Sequence, residues 1–210
     1  MQIFGYVLGE LFTNTYVVLT DNNIGFIVDP ATDDEKFLEE IKDMELPYII
    51  NTHGHFDHIC GNGIVKNTKA SRIIIHKNDA PMLTDPELNY SIFTTKRVTS
   101  PAADITLDSL EGVLNLNGIN WKYVNLAGHS EGSIILLNEV EKIIFSGDLI
   151  FSNSIGRVDL PAGSSKKMKK SLQFIEKLPS DFMVYPGHGE SFLLGDFKKI
   201  LKYFIQELEE

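Results

Sequence analysis

Asn51-Thr52-His53-Gly54-His55-Phe56-Asp57-His58 is the stretch on which the reading of this chain turns. Four titratable side chains fall within positions 53–58. Packed together without a counter-charge they would repel or desolvate one another, so a bound cation is the simplest reason for their company. The alternate residues His53 and His55 can point to one side. Asp57 and His58 sit a turn further on and can serve a neighbouring position, which invites a two-metal site. The short buried strand signal Tyr48-Ile49-Ile50 feeds this loop, and Gly54 lets the backbone turn tightly enough to aim an imidazole.

Three more loops have the same character. Ala127-Gly128-His129-Ser130, Phe145-Ser146-Gly147-Asp148 and Tyr185-Pro186-Gly187-His188-Gly189 each follow a strand signal. Five of the six histidines therefore lie in loops just after strands. Histidine and carboxylate ligands suit zinc, iron and manganese, and the single cysteine, Cys60, argues against a thiolate-rich structural site. Beside the first loop, His129 and His188 are expected to be ligands and Asp148 a bridging ligand. His76, at the end of Ile73-Ile74-Ile75, reads as structural. Cys60 reads as a small buried hydrophobe with no base left to activate it. Lys166, Lys167, Lys169 and Lys170 read as a solvated helix face. Tyr90 and Phe93 either line a pocket or pack.

Around these loops the pattern predicts strands at Ile3–Leu8, Thr15–Leu19 and Gly25–Val28, with Asp21-Asn22-Asn23 as a turn. A helix capped by Thr32 is expected from Asp33 to about Met44, with Phe37, Leu38 and Ile41 on one face. A short helix at Ile64–Lys69 and a strand at Arg72–Ile75 follow. Residues 84–104 read as an irregular excursion of the kind that can cover a site. Strands are expected at Val113–Leu116, Trp121–Leu126, Ser133–Leu137 and Lys142–Phe145. A helix capped by Ser164 or Ser165 then runs to about Leu178. Phe182–Tyr185 is read as the last strand, and Phe197, Ile200, Leu201, Phe204, Ile205 and Leu208 mark a terminal amphipathic helix. Many closely spaced strands with a few helices point to two stacked sheets covered by helices.

The chain has 210 residues, 43% of them hydrophobic, and a formal net charge of −10. That length fits one domain, residues 1–210, and a charged fraction of 23% excludes a disordered, low-hydrophobicity polymer. The acidic balance disfavours phosphate backbones and anionic membrane surfaces, so neither nucleic acid nor membrane is an expected partner. Met1-Gln2-Ile3-Phe4 carries no basic stretch and Glu10 interrupts the apolar run, so no signal peptide is read. No segment approaches the roughly 18 apolar residues of a membrane span. The expected location is cytoplasmic, in keeping with the one cysteine.

His-x-His-x-Asp-His, Gly128-His129-Ser130-x-Gly132-Ser133, Phe145-Ser146-Gly147-Asp148 and Pro186-Gly187-His188-Gly189 together resemble the metallo-β-lactamase superfamily. Gly147-Asp148-Leu149-Ile150-Phe151, with Ser154-Ile155-Gly156-Arg157-Val158-Asp159-Leu160-Pro161, is similar to its glyoxalase-II-type hydrolases. The resemblance runs from Asn14-Thr15-Tyr16 onward. It implies an α+β fold, a four-layer αββα sandwich with the site at one edge of two sheets. It implies one metal on His53, His55 and His129, a second on Asp57, His58 and His188, and Asp148 bridging them. Two divalent ions are implied, zinc foremost, with iron or manganese as alternatives. Arg157 stands where the family carries a basic substrate contact, although an ion pair with Asp159 explains it equally well. Gly189-Glu190-Ser191 replaces the family's tyrosine after the last histidine, and one helix follows in place of a helical domain. Glutathione-specific contacts are therefore not carried over.

The chemistry expected of such a site is hydrolysis. A single zinc already lowers the pKa of water to about 7, and paired ions sit about 3.5–4 Å apart. Asp57 orients the nucleophile while remaining a ligand. A small thioester suits the site because a thiolate, with a pKa near 8.5, leaves without a general acid. S-lactoylglutathione or a related 2-hydroxyacyl thioester is the expected substrate. The alternatives are a mononuclear iron persulfide dioxygenase and an acyl-lactone hydrolase. β-Lactam hydrolysis is not expected, because the branch with a cysteine ligand would need Cys where Asp148 stands.

Overall fold

The computed structural model describes residues 1–20 and 23–208, which group into two compact units. Residues 1–108 and 115–119 form the first, and residues 109–114 and 120–210 belong to the second. Asp21 and Asn22 of the expected turn lie outside the described residues.

The first unit is built on a six-stranded sheet ordered β1-β2-β3-β4-β5-β6. Here β1 is Gln2–Leu8, β2 Thr13–Leu19, β3 Ile24–Val28, β4 Glu45–Ile50, β5 Arg72–His76 and β6 Ile105–Leu107. β1, β2 and β3 pair antiparallel, with Leu8 opposite Thr13 and Leu19 opposite Gly25. From β3 onward the pairing is parallel. Parallel neighbours need crossover connections, and the chain supplies them as α1 (Glu35–Glu40), α2 (Phe56–Ile59) with α3 (Asn62–Lys69), and the segment 77–104. Every position of β2 is buried and β5 reads Ile73-Ile74-Ile75, the unbroken apolar run of strands covered on both faces. One face of the sheet packs Val17, Ile27, Ile49 and Ile73 against Phe37, Ile41, Ile59 and Val65 of the crossovers.

The second unit holds the sheet β12-β11-β10-β9-β8-β7. Its strands are β7 Glu111–Leu116, β8 Ile119–Asn125, β9 Ile134–Asn138, β10 Ile143–Gly147, β11 Met183–Pro186 and β12 Phe192–Leu193. β9 runs antiparallel to both β8 and β10, while β11 runs parallel to β10, so β8, β10 and β11 share one direction. Two helices, α4 (Ser165–Lys177) and α5 (Leu194–Glu207), follow. α4 buries Met168, Ser171, Leu172 and Ile175, a stripe at helical spacing, against Leu126, Val184 and Phe197. Ser164 caps it by accepting the Lys167 N–H. Among the described residues no helix is long and apolar enough to cross a membrane.

Five expectations are corrected. The first helix spans Glu35–Glu40 only, and Asp34 caps it, taking the Lys36 N–H at 2.9 Å, while the Thr32 hydroxyl is held by Asp34 N–H. The helix stops because Ile41–Asp43 turns to feed β4, with Met44 N–H bonded to Ile41 O. The histidine loop contains the short helix α2, and the next helix begins at Asn62. β6 and β12 are strands the sequence pattern did not mark, each too short for alternation to register. Phe182–Tyr185 falls on β11, which β12 follows, so it is not the last strand.

Candidate metal centre

The parallel topology of the first unit places three loop starts side by side. β3 ends at Val28 and delivers Asp29. β4 ends at Ile50 and delivers the histidine loop. β5 ends at His76 and leads to Asp79. Ligand sites in such sheets form beyond the carboxyl ends of the strands, where loops of adjacent strands meet.

Asp29 organises this half. It is buried, at φ +48°, and its carboxylate accepts the Thr52 N–H at 2.8 Å, the Thr52 hydroxyl at 2.5 Å and His58 Nδ1–H at 2.9 Å. A carboxylate only accepts, so His58 carries its proton on Nδ1 and presents Nε2 as a lone pair. Because Thr52 spends its proton on Asp29, its oxygen takes His53 Nδ1–H at 3.1 Å, and His53 too presents Nε2. That atom lies 3.0 Å from His55 Nδ1. Two nitrogens on one tetrahedral zinc at 2.0–2.1 Å stand about 3.3 Å apart, so this spacing fits a shared ion. Asp57 Oδ2 is 3.3 Å from His58 Nε2 and accepts the Thr13 hydroxyl at 2.7 Å. Asp79 accepts the Gly54 N–H at 3.0 Å and pins the turn between His53 and His55. Ligand atoms of Asp29, His53 and His58 also cluster within 4.8 Å. The three bonds already made to Asp29 mark it as the group that orients the histidines.

The second unit repeats the logic. His129 follows β8, Asp148 follows β10 and His188 follows β11, the three strands of common direction. His129 and His188 each bring Nε2 to 3.5 Å from Asp148 Oδ2. His129 donates Nδ1–H to the Arg157 carbonyl at 2.9 Å, which again leaves Nε2 as the ligand atom. A Cβ on Gly156 would stand 1.8 Å from the Asp148 carbonyl oxygen, so only glycine lets this loop close over the ligands.

All seven expected ligands thus fall into two groups, His53, His55, Asp57 and His58 in one unit and His129, Asp148 and His188 in the other. Every one is buried or nearly so, His188 being the most open. The imidazoles of His53, His58 and His129 are tautomerically set to offer Nε2 as an electron-pair donor to a cation, which is the chemistry a divalent metal requires. Arg157 contributes its carbonyl. Its guanidinium forms a two-pronged pair with Asp159, both bonds 2.8 Å, at the surface. Asp29, Thr52, Thr13 and Asp79 were missed by sequence reasoning. Asp29-Pro30 at a strand end was the one visible signal, because the others act only through tertiary neighbours.

The remaining expectations divide as follows. His76 lies buried at the end of β5, where Nδ1 accepts the Asn78 N–H at 3.4 Å. Cys60 packs against the first unit's core, and burial pushes its thiol up to about 12, the opposite of a nucleophile's requirement. Lys167 pairs with Glu131 on the exposed side of α4. The Tyr90 ring sits 5.1 Å from that of His55, whereas Phe93 is exposed.

A family model of the metallo-β-lactamase superfamily matches residues 8–188. This chain belongs to the metallo-β-lactamase superfamily. Its fold is accordingly the α+β sandwich expected from the sequence. A protein of Bacillus subtilis named a "probable metallo-hydrolase" is 30% identical over 186 residues, 87% of each chain. Among solved structures, the BLEG-1 B3 metallo-β-lactamase matches with a TM-score of 0.92 and 31% identity over 97% of this chain and 99% of that one. TTHA1623, solved in a di-iron-bound form, matches with a TM-score of 0.82 and 28% identity over 92% and 96%. Its His and Asp clusters are of the kind that could hold a divalent metal.

Proposed function

We propose that the two ligand groups act together as a dinuclear centre that hydrolyses a small thioester, with a 2-hydroxyacyl thioester such as S-lactoylglutathione the first to test. One ion is assigned to His53, His55 and His129, the other to Asp57, His58 and His188, with Asp148 shared. The observation that carries this reading is the fixed tautomer of His58 and His129, each tied through Nδ1 to an oxygen that can only accept. The di-iron form of TTHA1623 supports a paired site.

Bound there, two divalent ions supply Lewis acidity toward a water and a carbonyl oxygen. The protein's own groups do the rest. Asp29 and Thr52 hold the imidazoles of His53 and His58 in place, so no reorganisation is needed when charge develops. Thr13 holds Asp57 Oδ2, the oxygen that faces His58 Nε2, and so fixes the orientation of that carboxylate. No side chain is required to protonate the departing group, because a thiolate leaves unassisted.

The test is thioester hydrolysis by purified, zinc-loaded protein. It should vanish with a strong chelator and return with added metal. Absence of hydrolysis toward every thioester offered would sink the proposal. The likeness to BLEG-1 favours one second reading, β-lactam hydrolysis, and the missing cysteine ligand speaks only against the branch that needs it. Turnover of a chromogenic cephalosporin alongside thioester inactivity would decide for it.

A further inference from the structure

Within the first unit, a cavity of about 390 Å³ opens with Asp57 in its wall. Its floor is apolar, made by Ala31 and Val98, both buried, and by Phe56 and Cys60, both half-buried. Leu11, at the turn between β1 and β2, lines one side and stays half-exposed. The charged groups, Glu10, Asp33, Asp34 and Lys96, are exposed lining residues, with Lys96 bonded to Asp33. The apolar floor sits within a polar margin, seven of the thirteen lining residues being polar or charged, and the volume lies in the range small-molecule sites occupy. It equals the share of roughly a dozen water molecules, well beyond what a lactoyl group fills.

We infer that this cavity receives the acyl chain of the substrate, and that the chain is an uncharged one longer than lactoyl. The inference rests on the thioester reading and moves its preferred acyl group. Asp57 in the wall puts the carbonyl end of such a chain beside a proposed metal ligand, with the tail against Phe56, Val98 and Leu11. Glu10, Asp33 and Asp34 at the margin, besides Asp57 in the wall, stand against one lysine, itself engaged by Asp33, and oppose a second carboxylate at the far end of the chain.

Calorimetric titration of the metal-loaded protein with acetate, hexanoate and adipate reads the cavity without any turnover. Hexanoate is expected to bind at least about tenfold tighter than acetate, from the burial of its methylenes. Adipate should lose that advantage, and Leu11→Ala should cut it at least about threefold. Equal affinity for acetate and hexanoate, an unchanged preference in Leu11→Ala, or adipate matching hexanoate would each overturn the assignment. In parallel, the kcat/KM for a hexanoyl thioester should exceed that for the lactoyl thioester of the same thiol by about tenfold. If thioesters are hydrolysed with no such preference, the acyl assignment fails and the thioester reading stands. If none is hydrolysed while hexanoate keeps its advantage, the thioester reading fails and the cavity's ligand class stands.

Discussion

Asp29 holds a position few non-glycine residues accept, with φ +48°, and that conformation costs on the order of 1 kcal/mol. The cost is offset by three hydrogen bonds that set two imidazoles at once. Asp29→Ala is therefore expected to weaken metal binding about 10–100-fold, the usual loss when a group orienting a ligand is removed. Competition with a chromophoric chelator would measure it, and unchanged affinity would remove Asp29 from the site. At the surface, Arg157 holds the Asp159 carboxyl down at about 2 from its ordinary 3.8, by direct hydrogen bonding. A depressed carboxyl contributes stability above its unfolded value, and that contribution fades as pH falls through about 2. Arg157→Gln should return the Asp159 midpoint toward 3.8, read from its carboxyl resonance in an NMR titration. Both groups are exposed, so the associated stability is small.

The elements act as aiming devices. In the first unit the loop after β4 carries the ligands while the loops after β3 and β5 supply Asp29 and Asp79 that hold it, and in the second the loops after β8, β10 and β11 each carry one ligand, so strand ends set ligand position. α4 serves the same purpose from the side. Ser164 N–H binds the Gly128 carbonyl at 2.8 Å, one residue before His129, and Gly128 sits at φ +149° against Met168. A Cβ at Gly128 would stand 2.5 Å from the Met168 Cα, so Gly128→Ala must displace either the helix or the His129 loop. It is expected to lower thermal stability and to weaken metal binding together, and loss of one without the other would separate packing from aiming. Leu172→Ala, in the fully buried stripe of α4, should cost about 2–5 kcal/mol, measured as a fall in the urea midpoint.

For the whole molecule, metal binding and folding are linked. An ion that binds only the native chain at a hundred times its dissociation constant adds about 2.7 kcal/mol. For a chain of this size that corresponds to roughly 5–10 °C in melting temperature. Scanning calorimetry before and after chelator treatment should show that difference, and identical melting would argue that no metal is resident. The buried histidines and aspartates give the reason, since their ligand atoms are arranged at a cost in solvation that a cation recovers.

Spacing alone made the seven candidate ligands visible, because a histidine or aspartate just after a strand signal needs no long-range partner to be noticed. The long apolar strands and the two amphipathic helices near the C-terminus were legible for the same reason: periodicity is a local property. The extent of α1 was not, since an apolar face at Phe37 and Ile41 continues past the point where the chain must turn into β4. β6 and β12 were hidden because strands of three and two residues exist only through their neighbours. Tertiary structure alone decided that Asp29 and Thr52 set the tautomers of His58 and His53, that Arg157 offers its carbonyl rather than its charge, and that a cavity with an apolar floor adjoins Asp57. Each depends on contacts between residues far apart in sequence, such as Asp29 with Thr52 and His58, and only the packed sheet brings their atoms within bonding distance.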